Sequence, residues 1–162
     1  MADITVLEEK LAEVVGLAQA AQGTTEKVEG LVDDGEIKQK LQQMREEAEE
    51  TERRGTELAD ERDGKKTAIL EKARETKQEA TEMMRTYLGE DADALDGFEF
   101  LTMAEAGEVG HWSIVEVLAQ RARDAQTSTL AAWAKPIQER HFQEAQEGSL
   151  KLAKAEDPNA TE

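Results

Sequence analysis

An all-α fold is predicted by three observations. Ala, Glu, Leu, Lys, Gln and Arg, the strong helix formers, dominate the 162 residues. Prolines number two, aromatics make up only 4%, and no stretch alternates Val, Ile, Thr or aromatics as a strand would. Between clusters of glycine and aspartate, apolar residues recur at intervals of three and four, the period of one helix face. The length suits one domain with a sizeable core, spanning 1–162, with 155–162 expected as a disordered acidic tail.

The first helix is predicted over 4–32, with Ile4, Leu7, Leu11, Val14, Ala18 and Ala21 as its stripe. The break at 32–35 leads to a second helix over 36–61, striped by Ile37, Leu41, Met44, Ala48, Thr51 and Leu58. After 60–64 comes a third, 65–88, with Ile69, Ala73, Ala80, Met83 and Tyr87 inward. Met44, Met83 and Met84 read as core filling. The stretch 89–97 holds Asp91, Asp93 and Asp96, but its acids and glycine fall out of step with a calcium loop, so it reads as a solvated cap for the next helix.

The fourth helix is predicted over 98–123 and the fifth over 126–153, because one unbroken helix through both would run roughly 80 Å at 1.5 Å per residue. Arg121 and Arg123 suit a C-terminus and Asp124 or Thr127 an N-cap, which places the turn near 124–126. Pro136 should kink the fifth helix or mark its start.

A formal charge of −17, from 37 acidic and 20 basic residues, argues against nucleic acid and against an anionic membrane surface. No cysteine is present, which excludes disulfides, thiolate metal sites and thiol catalysis. No apolar stretch reaches transmembrane length and no leader is read at the start, so a cytoplasmic location is expected.

The fourth helix carries Leu101, Ala104, Glu108, His111, Val115, Leu118 and Ala122 at alternating intervals of three and four. The fifth carries Leu130, Trp133, Ile137, His141, Glu144, Gly148 and Leu152. A glutamate and a histidine thus interrupt each apolar stripe, and buried polar groups are costly unless paired. In an antiparallel hairpin, His111 and His141 share a midpoint at 126, as do Glu108 and Glu144. The four side chains are therefore expected to meet between the last two helices. Two carboxylates and two imidazoles suit iron, manganese or zinc, and match the ligand set of carboxylate-bridged dinuclear sites in helical bundles. Further carboxylates would come from Glu8 on the first helix and Glu47 or Glu50 on the second. Gly107 and Gly110 flank Glu108 and leave either room for small molecules or space for a bulky neighbour such as Trp112 or Trp133. Two other readings share these residues: a structural Glu–His hydrogen-bond network in a non-enzymatic stress or interaction protein, and tetrapyrrole binding between facing histidines.

With these features the sequence resembles the ferritin-like superfamily, in particular the small YciE/YciF-type ferritin-like proteins of bacteria. Leu7-Glu8-Glu9-Lys10 looks like that family's first-helix acidic signature, Glu49-Glu50-Thr51 like its second-helix signature, and Gly110-His111-Trp112 sits where it has a histidine followed by an aromatic. The resemblance implies an antiparallel bundle with an additional helix between the second and fourth segments. It also implies a dinuclear iron or manganese site with ferroxidase-like or peroxide-consuming chemistry in a stress context. The implied partners are metal ions and small oxidants, with a homodimer left open. The only forward Glu-x-x-His is Glu108 to His111; the fifth helix has the reverse, His141 to Glu144.

Overall fold

The computed structural model describes residues 2–161, and within them the chain is all-helical. Five helices follow in order: α1 Val6–Glu29, α2 Gly35–Asp60, α3 Lys66–Tyr87, α4 Ala94–Ala122 and α5 Ala125–Ala155. Local chemistry sets their starts. Thr5 and Glu8 form a capping box at α1, and Asp34 caps α2 through the amides of Glu36 and Ile37. Asp93 and Asp96 form a second capping box, so α4 begins four residues before the predicted start. Gly97 then lies within α4, where a Cβ would press on Val28 and Leu31 of α1. The predicted solvated cap is thus the 93–96 box, displaced towards the N-terminus.

The α4–α5 turn falls close to where the caps predict it. Arg123 takes the left-handed conformation (φ 55°), and Asp124 caps α5 by accepting from the Thr127 amide. Arg62, from the α2–α3 loop, bonds both Asp124 and Thr127 and ties that loop to this turn. Pro136 does not start α5; it sits inside the helix. It and Ala132, one turn before it, are both exposed, so the carbonyl that loses its helical partner can turn to water.

Helices α1, α2, α5 and α4 contact one another in a ring, α1 with α2, α2 with α5, α5 with α4 and α4 with α1. Cross-helix pairs run in opposite directions around it: Gln42 with Glu29 for α1–α2, Thr102 with Ser149 for α4–α5, and Lys151 with Asp34 for α2–α5. Helix α3 lies outside the ring against α1, and runs parallel to it: Lys65 meets Glu8, and Ala73 and Thr76 meet Gly16. A Cβ at Gly16 would overlap the Ala73 carbonyl, so this glycine permits the close approach. With partners on several sides, α1 has few exposed residues.

The predicted α2 stripe is buried at every position named for it. In α3 only Ala68, Ile69 and Ala73 are buried; Met83, 63% exposed, lies along a cleft and Tyr87 rests against Phe100 of α4, so neither joins the expected buried stripe. The cause lies in α1, which beyond Leu17 offers α3 only small side chains, Ala20, Ala21 and Thr24. A cleft stays open there.

The ring's core has two apolar halves. One gathers Leu7, Leu11, Val14, Leu58, Trp112, Val115 and Leu130; the other gathers Val28, Ile37, Leu41, Met44, Phe98 and Leu101. The residues that lie between these halves along α2, α4 and α5 form a polar layer.

Candidate functional site

The polar layer is built from Glu105 and Glu108 of α4, Gln138 and His141 of α5, and Glu47 of α2. Glu105 is 2% exposed, His141 3% and Glu108 8%. The Gln138 amide donates to Glu105. The His141 ring lies between two carboxylates, with Nδ1 3.7 Å from Glu105 and Nε2 3.3 Å from Glu47. Arg140 donates to Glu47 and, at 3.5 Å, to Glu144. The second oxygen of Glu144 is buried without a partner among the described residues.

Burial opposes a charged imidazole, but Glu105 and then Glu47 outweigh it and hold the His141 pKa above its ordinary value. For Glu108 the effects add. Burial, then the charge of Glu105, push its carboxyl well above the usual carboxylate range, with Gln138 pulling the other way. No cation contacts Glu108 among the described residues. Its side chain lines a cleft of about 230 Å³ between α1, α3 and α4, whose walls are otherwise mostly apolar: Leu17, Ala20, Ala21, Ala80, Phe100 and Leu101.

The predicted ligand set does not converge. His141 and Glu108 enter the layer with Glu47. His111 does not: its side chain is 39% exposed, Nδ1 donates to the Gly107 carbonyl at 2.8 Å, and Nε2 lies 3.7 Å from Glu13 on α1. The expected pairing of His111 with His141 is therefore corrected, and with it the arrangement of facing histidines that tetrapyrrole binding requires. Glu144 faces Arg140 and α2 rather than Glu108. Glu8 lies elsewhere, closing the α1 capping box and pairing with Lys65 at 2.9 Å. Glu50 sits on the surface, where Arg53 and then Arg54 lower its pKa to about 2. Gly107 and Gly110 accommodate no bulky neighbour; a Cβ on either would meet open space.

Glu105 and Gln138 are the site residues that the sequence reading missed. The predicted and observed α4 faces share Leu101, Glu108 and Val115, and differ in what lies between. The structure buries Glu105, Trp112 and Ala119 instead of Ala104, His111 and Leu118. Trp112 decides the phase. An indole has far more apolar surface to bury than an imidazole, and turning it inward turns His111 out and Glu105 in. In α5 the same rotation brings in Ala134 and Gln138 in place of Trp133 and Ile137. Trp133 instead carries the Arg54 guanidinium over its ring, 4.1 Å from the centroid.

The donors suit a metal in kind, three carboxylates and an imidazole, but not in arrangement. Among the described residues no three of His, Cys, Asp or Glu are placed to hold a metal ion. Gln138 and Arg140 already occupy oxygens of Glu105 and Glu47, and both His141 nitrogens face carboxylates. Among the described residues no helix is long and apolar enough to cross a membrane. No protein-family model matches the chain, and neither a curated protein nor a solved structure matches it.

Proposed function

We propose that the chain binds a small organic cation, its apolar body in the cleft between α1, α3 and α4 and its charged head at Glu108 and Glu105. One observation carries this reading. A buried carboxyl with a strongly raised pKa and no cation of its own forms the polar end of a mostly apolar cleft. Holding two adjacent carboxyls out of water is costly, and a cation brought between them offsets that cost. The apolar walls favour an amine with a hydrocarbon body over a hydrated metal ion, which would need more polar donors than the cleft wall supplies. Because Glu108 must lose its proton to pair with an ammonium group, binding should tighten as pH rises, until the amine itself is deprotonated.

The reading is tested by calorimetry and thermal melts with a series of alkylamines and the matching alcohols. Amines should raise the midpoint, alcohols should not, and Glu108→Gln should remove the difference. An amine and its alcohol acting alike would overturn the proposal.

A second reading keeps the expected metal. It is supported by the number of carboxylates in one layer, which exceeds its cations: among the described residues Glu47, Glu105 and Glu144 meet only Arg140 and His141, and Glu108 meets none. In that case Glu105, Glu108 and His141 would hold iron, manganese or zinc after Gln138 releases Glu105. The ring with an outlying α3 is compatible with the ferritin-like resemblance. A dinuclear redox centre would need carboxylates that Glu8 and Glu50 do not bring here. Metal analysis of protein purified without chelator, with melts in ferrous, manganous and zinc salts, distinguishes the two. Response to neither metal nor amine leaves the layer as a structural Glu–His network.

A further inference from the structure

Helix α4 has two apolar faces, and the ring uses only one. The inner face runs through Leu101, Glu105, Glu108, Trp112, Val115 and Ala119. Directly opposite, at about 100° per residue, lie Glu99, Met103, Ala106, Gly110, Ile114, Val117 and Arg121, all exposed. In a chain of net charge −17, every exposed residue of α4 between Glu99 and Arg121 is uncharged. The exposed side of α2 is the opposite case, where Glu36, Glu46, Glu49, Arg53, Arg54 and Glu57 meet water. An amphipathic surface helix of a self-contained bundle is expected to look like α2.

The outward face of α4 is also self-complementary. Its positions step by 4, 3, 4, then 4, 3, 4, and so read the same in both directions from Gly110. If two copies of α4 lie antiparallel with Gly110 at the centre, Glu99 opposes the other copy's Arg121, Met103 opposes Val117, and Ala106 opposes Ile114. Acid thus meets base at both ends, and apolar meets apolar between them. Neither Glu99 nor Arg121 has an ion-pair partner among the described residues. The central position is a glycine with open space over its Cα, so two backbones can approach closely there. A glycine in an exposed helix interior otherwise costs about 1 kcal/mol relative to alanine.

From this we infer that two copies of the chain pair through α4, antiparallel, with the twofold axis passing at Gly110. The contact is isologous, so it closes on itself at two copies. It lies opposite the core face of α4, and so it forms without altering the polar layer.

Sedimentation equilibrium on the full chain tests the pairing and charge reversal tests its register. The unaltered chain should sediment as a dimer. Glu99→Arg alone and Arg121→Glu alone each place like charges opposite one another and should weaken the dimer about tenfold or more. The two together restore opposite charges and should restore the dimer. Because all three variants are at exposed positions, circular dichroism should show the same helicity as the parent. The chain has no cysteine, so Gly110→Cys supplies a single thiol. At the twofold it should link two copies under mild oxidation, whereas Gln120→Cys should not. A monomer at all concentrations would overturn the inference. So would a dimer indifferent to both single reversals, or one in which the double reversal fails to rescue and Gly110→Cys fails to link.

Discussion

Glu8 and Glu108 expose almost equally little surface, 4% and 8%, yet Glu8 lies near the rim of the fold and Glu108 deep in it, and their pKa values move in opposite directions. Burial raises both. At Glu8 it is outweighed by the Thr5 amide and then by Lys65, and the pKa falls below its ordinary value. At Glu108 the neighbour is another carboxyl and the pKa rises. The difference shows that a small exposed area does not by itself set the pKa of an acid. Depth and neighbours set it together: an amide and an ammonium near the surface in one case, deep burial beside a second acid in the other. Glu8 is one member of a self-sufficient joint that fastens α1 to the α2–α3 loop. Glu108 has the Gln138 amide beside it but no cation among the described residues.

The largest expected effect tests the Glu8 side. Glu8→Ala removes the capping box and strands Lys65, and should cost about 3 kcal/mol, roughly 6–12 °C in melting temperature. Glu108→Gln, by contrast, keeps the neutral form that burial and Glu105 favour and should change stability by less than about 1 kcal/mol. Equal losses at the two positions would erase the contrast.

The next effect is in pH dependence, where the two acids have opposite signs. Glu8 and Asp124 have folded pKa values below their ordinary ones, so the stability they contribute is present above those ordinary values and is lost as pH falls. Glu108 is raised, so between its ordinary value of about 4.5 and its folded value the native state binds the extra proton, and stability falls as pH rises. His141 is also raised, so its contribution is complete below about 6.5 and is lost above that as pH passes its folded value. Melts across pH should therefore peak in the mildly acidic range. Glu108→Gln should flatten part of the alkaline limb and leave the acid limb alone; a changed acid limb would contradict the assignment.

A smaller and more direct test moves a cation. Ala21 is half-buried on the cleft wall that Glu108 also lines. Ala21→Lys should lower the Glu108 pKa, and Lys65→Met should raise that of Glu8, both readable by carboxyl NMR. Smallest of all, Gly107→Ala adds a methyl in open space beside Glu108 and should stabilise by about 0.5–1 kcal/mol. A loss there would mean that the cleft mouth depends on that glycine.

What could be read from the pattern follows the same division. The α2 stripe was legible because its exposed face is charged and leaves only one face to bury. The α4–α5 turn was legible because Arg121, Arg123 and Asp124 carry cap chemistry. The α4 phase was not, because that helix is apolar on opposite sides and two heptad readings share Leu101, Glu108 and Val115. Choosing between them required weighing Trp112 against His111 by size rather than by period. Placing histidines at the matching level drew His111 inward and left Glu105 and Gln138 out. The carboxylates of the first half were candidates by type alone. Nothing in the spacing distinguishes Glu8, committed to Lys65, and Glu50, committed to Arg53 and Arg54, from Glu47, which reaches His141.

The lopsided docking of α3 has a kinetic consequence. Its buried residues, Ala68, Ile69 and Ala73, lie in its first eight positions, and it is held again only near its end, where Met84 packs on the core and Tyr87 lies against Phe100, so its middle spans the cleft. Such a segment opens at a small fraction of the free energy of global unfolding. Its backbone amides between about positions 77 and 83 should therefore exchange with deuterium well before those of 66–73, and far before those of α1. Passage to and from Glu108 is then eased by local opening in the middle of one helix, so exchange at the cleft can be fast while the ring of four helices stays closed.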